Sequence, residues 1–153
     1  MKIWVDADAC PVAIKEIIYK AAERLKIPTV FVACQYLRIP QSQYLSFVCV
    51  EKGMDAADFY IVQNLEKDHL VITADIPLAS EVVNKGAIAI DPHGRLFDEH
   101  SVAEALSVRN FLHSLRETQV IGGGGPKPFQ GTDKKQFAAQ FEKQISILQK
   151  RKK

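Results

Sequence analysis

Short apolar runs that stop at polar or acidic residues recur along the chain and define its predicted strands. The first run is Ile3-Trp4-Val5, and the others cover residues 29–34, 45–50, 70–73 and 86–91. A run of this length, bounded by turn residues, is typical of a strand that is buried on both faces. The pattern therefore predicts a central, mostly parallel sheet of about five strands.

Helical spacing of apolar residues fills the intervals between these strands. An amphipathic helix is predicted from Pro11 to about Lys26, and a C-terminal helix over residues 132–153 has its apolar side chains on one face. Residues 120–131, which include four consecutive glycines, are predicted as a loop before that last helix. Alternating strands and helices favour an α/β fold of three layers, α/β/α, in a single domain spanning residues 1–153.

Aspartates stand where the predicted strands end or the helices begin. Asp6 and Asp8 follow the first strand, Asp75 follows the fourth, and Asp55 and Asp58 share the first turn of one helix. The carboxyl ends of parallel strands lie on one edge of a sheet, where open α/β sheets bind ligands. Neighbouring carboxylates repel each other unless a cation or a proton joins them, and Mg²⁺ prefers oxygen ligands. We therefore predict that these aspartates converge on one divalent-cation site, with either Asp55 or Asp58 facing the metal.

Structural roles for some of these acids stay open on the sequence alone. Asp8 precedes a helix that begins with proline and could cap it, and aspartates in a first helical turn are favoured by the helix dipole. Asp91 precedes Pro92 and is interpreted as a turn residue. Ser101, with Glu104 three residues later, is predicted as the N-cap of a helix that runs to about Gln119.

Composition narrows the class of protein without identifying a partner. Hydrophobic residues make up 47% and charged residues 25% of the 153 residues, as in ordinary globular proteins. The net charge is only +2, so any basic surface for nucleic acid has to be local. No apolar run approaches the roughly 20 residues that span a bilayer, and, because the sequence opens on a predicted strand, we expect no secretory leader. We expect a cytoplasmic protein that does not enter a membrane.

The cysteines indicate the same compartment. Cys10, Cys34 and Cys49 are odd in number, widely spaced and without the spacing of zinc ligands. We interpret them as buried thiols in a reducing cytosol. Cys10 lies beside the aspartates, whose charge raises the pKa of a thiol, so a reactive role for it is disfavoured.

Basic residues and glycines after residue 100 are candidates for binding nucleic-acid phosphates. Arg109 and Arg116 lie on one stripe of a predicted helix, which is either a solvated face or an edge that contacts phosphates. In the glycine-rich loop, Gly123 and Gly124 allow close backbone approach to a partner, and Lys127 supplies a charge. The loop lacks the spacing of a P-loop, and a flexible connector is the alternative.

A second candidate segment for nucleic acid lies after the second predicted strand. Tyr36, Arg38 and Tyr44 occur in the polar, proline-containing stretch that begins at Gln35. Aromatic side chains can stack on the bases of a single strand, although anchoring a loop to the core is the commoner role. Both interpretations stay open.

With these residues identified, the chain resembles the bacterial YaiI/YqxD family, whose sheet belongs to the PIN-like fold group. The resemblance covers essentially the whole length. It rests on four ordered motifs: Asp6-Ala7-Asp8-Ala9-Cys10-Pro11-Val12, Gly53-Met54-Asp55-Ala56-Ala57-Asp58, Ile72-Thr73-Ala74-Asp75-Ile76-Pro77-Leu78-Ala79, and the loop 122–129.

The resemblance to PIN-like nucleases implies roles for particular aspartates. Their first acid corresponds to Asp6, their mid-chain acid to Asp58 with Asp55 as the alternative, and a third to Asp75. Such enzymes use Mg²⁺ or Mn²⁺ to hydrolyse phosphodiesters. A fourth acid of the pattern has no clear match, since Asp98 is a poor candidate, and Asp8 has no counterpart in those enzymes.

Three functions are compatible with the sequence, and its status as an enzyme is left open. The first is a metal-dependent nuclease acting on RNA in preference to DNA, with Asp6, Asp8, Asp58 and Asp75 as catalytic residues. The second is a nucleic-acid-binding module without activity. The third is a phosphatase similar to the haloacid dehalogenases, with Asp6 as nucleophile and Asp8 as acid and base, and with Ile72-Thr73 and Lys85 as later matches. Cys10 stands where those enzymes have threonine or valine, and their late acidic pair is missing.

Overall fold

A six-stranded sheet lies at the centre of the computed structural model, which describes residues 1–51, 56–104, 106–107 and 131–151. The strands are, in chain order, β1 (Ile3–Asp6), β2 (Thr29–Ala33), β3 (Leu45–Cys49), β4 (Leu70–Ile72), β5 (Ile88–Ile90) and β6 (Leu96–Phe97). They lie in the order β3-β2-β1-β4-β5-β6, and every pair is parallel except β5 and β6. The predicted α/β fold with a mostly parallel sheet is confirmed. The short β6 was not predicted.

Helices cover both faces of this sheet. The first face carries α1 (Val12–Leu25) and the final helix α5 (Gly131–Arg151). The second face carries α2 (Ala56–Asn64), α3 (Ile76–Asn84) and α4, which comprises helical residues 99–104 and 106–107. None of the helices within these described ranges is long and apolar enough to cross a membrane.

Alternation along the strands divides the core into two apolar clusters. In β1, Ile3 and Val5 pack with α1 and α5, whereas Trp4 packs with the helices of the second face. Because side chains alternate between the faces of a sheet, the next residue, Asp6, belongs on the second face with Trp4. Asp6 is thereby on the same face of the sheet as α2 and α3.

The C-terminal helix packs through one apolar stripe, as its periodicity predicts. Its buried side chains are Phe137, Phe141, Ile145 and Leu148. The rings of Phe137 and Phe141 stack at 5.1 Å between centroids, and an ion pair joins Arg24 of α1 to Glu142. The described part of the helix starts at Gly131, next to the predicted start at residue 132, and most of the predicted loop 120–131 lies outside the described residues.

Two sequence predictions are corrected by local structure. Helix α4 begins after Asp98 and not at Ser101, because the Asp98 carboxylate accepts the Ser101 N–H at 2.7 Å and the Ser101 hydroxyl accepts the Asp98 N–H at 2.8 Å. This is a reciprocal capping box centred three residues earlier than predicted. The thiols are not all buried either, because Cys49 lies on β3, an edge strand, and is exposed.

Gly94 fixes the position of α5 against the turn between β5 and β6. Its φ is +90°, and a Cβ atom there would lie 2.5 Å from the backbone carbon of Gln136. Gly86 has a similar φ of +84°, but a Cβ atom there meets nothing closer than the Lys67 side chain at 3.6 Å. A substitution at Gly86 therefore introduces backbone strain alone, whereas a substitution at Gly94 introduces the same strain and a clash with α5.

We expect Gly94→Ala to lower the free energy of unfolding by roughly 3 kcal/mol, since it adds a clash with a helix backbone to the strain of a positive φ. Gly86→Ala, the matched control, should cost only about 1 kcal/mol. Urea denaturation of both variants measures the difference. Equal losses would show that α5 does not rest on Gly94.

Candidate functional site

The direction of chain progression reverses between β1 and β4, the two central strands. From β1 the chain goes outward to β2 and β3, and it then returns to the other side of β1 as β4. In open α/β sheets such a switch point leaves a crevice at the carboxyl ends of the strands. Asp6 ends β1 and Asp75 lies three residues beyond the end of β4, so both acids stand at this crevice.

Strand register brings Thr73 beside Asp6. Val5 of β1 pairs with Ile72 of β4, so the residues that follow them, Asp6 and Thr73, lie side by side on the face that carries α2 and α3. The Thr73 hydroxyl donates a hydrogen bond of 3.0 Å to Oδ2 of Asp6, and both side chains are buried. The same Thr73 oxygen accepts the Asp75 N–H at 3.0 Å. Thr73 thus links the two acids of neighbouring strands.

Asp75 and Asp8 are each held by one backbone N–H. Oδ1 of Asp75 accepts the Leu78 N–H at 2.9 Å and caps α3, whose second residue is Pro77. Asp8 lies in a short 3-10 turn, Ala7–Ala9, and its Oδ2 accepts the Cys34 N–H at the end of β2 at 2.9 Å. Asp8 does not cap α1, because the N-cap of that helix is Pro11 with no side-chain bond. The capping role considered for Asp8 is therefore wrong, whereas Asp75 caps α3, a role that was not predicted from the sequence, and also lies at the crevice.

Burial and neighbouring negative charge both act on Asp6. Burial raises the pKa of Asp6 from 3.8 to about 6, the hydrogen bond from Thr73 opposes this shift, and the charges of Asp75 and Asp8 add to it. Burial also raises the pKa of the Cys10 thiol to about 12, with Asp6 contributing. Cys10 is therefore a protonated thiol near neutral pH, as expected from the sequence.

The donor atoms at the crevice suit a hard cation that retains water. One oxygen of each of Asp6, Asp8 and Asp75 accepts a hydrogen bond, and in the described structure the second oxygen of each accepts none. Within the same residues, no three or more carboxylate, imidazole or thiol groups are placed so that they could hold a metal ion by themselves. Mg²⁺ is commonly held by one or two carboxylates together with waters and substrate phosphates, and this donor set fits that mode.

The other predicted site residues are located only in part. Asp58 lies half-buried in the first turn of α2, which packs against β1 and β2 on the face of Asp6. Asp55 falls outside the described residues, so the choice between it and Asp58 stays a prediction. The predicted phosphate-binding residues also fall outside: Arg109, Arg116, Gly123, Gly124 and Lys127.

Two residues singled out by the sequence lie away from the crevice. The Lys85 ammonium donates to the Val62 carbonyl at 2.7 Å at the C-terminal end of α3, on the opposite edge of the sheet from Asp6. This position gives no support to the phosphatase interpretation. Asp91 is a turn residue as predicted, since its Oδ1 accepts the His93 and Arg95 N–H groups, each at 2.9 Å.

A groove beside α5 contains polar residues that the sequence did not indicate. His93 from the turn between β5 and β6 lies 3.0 Å from the buried carboxylate of Asp133 in α5. The groove encloses about 720 Å³. The two residues are far apart in sequence, and nothing in their local patterns predicts that they meet.

The fold and the crevice define a doubly wound α/β protein with acidic residues at its switch point. Residues 4–147 match the family model described as "Uncharacterized BCR, YaiI/YqxD family". The chain belongs to this family, as its motifs predicted.

Relatives of known sequence are similar to this chain over almost its full length. A UPF0178 protein of Desulfotalea psychrophila is 52% identical over 148 residues, covering 97% of this chain and 99% of the relative. One of Proteus mirabilis is 50% identical over 153 residues, covering both chains completely, and one of Myxococcus xanthus is 47% identical over 150 residues, covering 98% of this chain and 97% of the relative. No solved structure matches the chain.

We expect Asp6→Asn to stabilise the metal-free protein at pH 7. Because the pKa of Asp6 is higher in the folded state, at about 6, than its ordinary 3.8, the folded state loses stability as pH rises from 3.8 to about 6. The loss is complete above that range and amounts to at most about 3 kcal/mol. Asparagine avoids it and can still accept the Thr73 hydrogen bond.

Urea denaturation in EDTA at pH 7 and below pH 3.8 tests this expectation. The variant should be more stable than the wild type at pH 7 and of similar stability at the lower pH. A difference that does not depend on pH, or a variant less stable at pH 7, would contradict the charge effect.

Proposed function

We propose that the protein is a divalent-metal-dependent nuclease that hydrolyses phosphodiester bonds, with RNA preferred to DNA. The observation that carries this proposal is the grouping of Asp6, Asp75 and Asp8 at the switch point of the sheet. Burial is the main cause of the raised pKa of Asp6, and the charges of Asp75 and Asp8 raise it further. A bound cation would oppose both effects by favouring the carboxylate. The cation proposed is Mg²⁺ or Mn²⁺.

Some residues at the crevice would bind the cation, and others would orient its ligands or bind its water. Asp6 and Asp75 would each offer the oxygen that is not engaged by Thr73 or by the Leu78 N–H. Thr73 fixes the carboxylate of Asp6, and Asp8 or Asp58 would bind a water of the cation or accept a proton from it. A divalent cation bound there would polarise the scissile phosphate and lower the pKa of the attacking water.

The loop after β2 favours nucleic acid over a small phosphate ester as substrate. It starts at Cys34, whose N–H binds Asp8, and no acidic residue occurs between positions 29 and 50. Tyr36 is 81% exposed, and its ring meets the edge of Phe47 at 5.9 Å between centroids. Arg38 is exposed in the same loop. An exposed aromatic ring with an exposed arginine two residues further along the same loop suits base stacking and phosphate contact.

The test is cleavage of labelled single-stranded RNA and DNA with Mn²⁺ or Mg²⁺. We expect the wild type to cut RNA faster than DNA, and EDTA to stop both reactions. Asp6→Asn and Asp75→Asn should each slow cleavage by roughly two orders of magnitude or more. Asp91→Asn is the matched control at the same edge of the sheet. It should cleave at the wild-type rate because the Asp91 carboxylate is hydrogen-bonded within the β5–β6 turn.

The alternatives give different results in the same assay. Strand binding without cleavage, unaffected by Asp6→Asn, would favour the binding module. Cleavage that persists in Asp6→Asn and Asp75→Asn would contradict the proposed site. Circular dichroism spectra of the variants establish that loss of activity does not reflect unfolding.

A further inference from the structure

The groove of about 720 Å³ beside α5 is separate from the acidic crevice. It lies on the first face of the sheet, between the β5–β6 turn and the N-terminal half of α5. Its polar lining includes His93, Arg95, Asp133, Gln136, Gln140 and Lys143. A volume of this size is within the range of sites for drug-sized ligands.

The acids of the groove have partners within the protein, whereas its cations have no acidic partner among the described residues. Asp91 accepts two N–H groups of its own turn, and Asp133 lies against His93. Within the described part of the chain, neither Arg95 nor Lys143 forms an ion pair with an acid. The Arg95 guanidinium instead lies 5.7 Å from the centroid of the Phe97 ring, which restricts its position. The charge available to a ligand is therefore positive.

Backbone contacts hold the two walls of the groove together. Gly94 lies directly against the α5 backbone at Gln136, and the Gln140 side chain donates to the Gly94 carbonyl at 3.5 Å. Gln144 in turn donates to the Gln140 side chain at 2.8 Å. The two walls of the groove are thus in direct backbone contact, and the Arg95 and Lys143 side chains are exposed on them.

We propose that this groove binds a phosphate monoester up to the size of a mononucleotide, with Arg95 and Lys143 holding the phosphate. A monoester phosphate carries nearly two negative charges near neutral pH, which two monovalent cations can balance. The planar guanidinium offers paired donors to phosphate oxygens, and the ammonium acts as a point charge. The Gln136 amide, which lines the same groove, can bind the remainder of the ligand. The site does not depend on the nuclease activity proposed for the crevice.

The experiment is calorimetric titration of the full chain with AMP, inorganic phosphate and adenosine. We expect AMP to bind in the millimolar range or more tightly, phosphate more weakly, and adenosine not at all. Arg95→Gln and Lys143→Gln should each weaken AMP binding about tenfold or more, as loss of a charge-assisted hydrogen bond does. Lys20→Gln, which removes an exposed lysine of α1 outside the groove, is the control and should bind AMP as the wild type does.

The phosphate could come from a free nucleotide or from the end of a nucleic-acid strand. A 5′-phosphorylated tetranucleotide and its dephosphorylated form distinguish these sources. Tighter binding of the phosphorylated strand than of AMP would assign the groove to strand ends, and the reverse would assign it to free nucleotides. Absence of AMP binding, equal binding of adenosine, or equal weakening in Lys20→Gln would overturn the proposal.

Discussion

The hydrogen bond from the Thr73 hydroxyl to the Asp6 carboxylate joins the two central strands at the point where the sheet changes direction. It forms because β1 and β4 pair in the register that aligns Val5 with Ile72. A shift of one residue in this register would separate the Asp6 and Thr73 side chains and break the hydrogen bond. The same hydroxyl accepts the Asp75 N–H, so the start of α3 is set by it as well. The acidic crevice therefore depends on the pairing of two short, fully buried strands.

The cost of this arrangement falls on Asp6. Its carboxylate is buried, one oxygen is bound to Thr73, and two further acids lie close enough to raise its pKa. Structures that retain such unfavourable charge do so at functional sites more often than elsewhere. The backbone N–H groups of Cys34 and Leu78 hold the carboxylates of Asp8 and Asp75 in place. These hydrogen bonds bring no positive charge to Asp6. A ligand that brings positive charge is the simplest means of relieving the repulsion.

Much of this architecture is predictable from local sequence, and the remainder depends on long-range geometry. Apolar runs ending in acids predicted that Asp6 and Asp75 would share one edge, because parallel strands constrain where their ends lie. The partner of Asp6 was not predictable, since it follows from register. The two residues of β6 were too few to form a pattern, and Cys49 is exposed because β3 ends the sheet. The groove of His93 and Asp133 required two distant segments to meet.

The account is tested most directly by a pH titration of the Asp6 carboxyl carbon by NMR, with and without Mg²⁺. Without the cation, burial, together with the smaller effect of the neighbouring acids, predicts a midpoint at about 6. Saturating Mg²⁺ should lower it by roughly one unit or more, because an adjacent positive charge favours the carboxylate. A midpoint near the ordinary 3.8 that Mg²⁺ leaves unchanged would contradict a charge-strained cation site at this edge of the sheet.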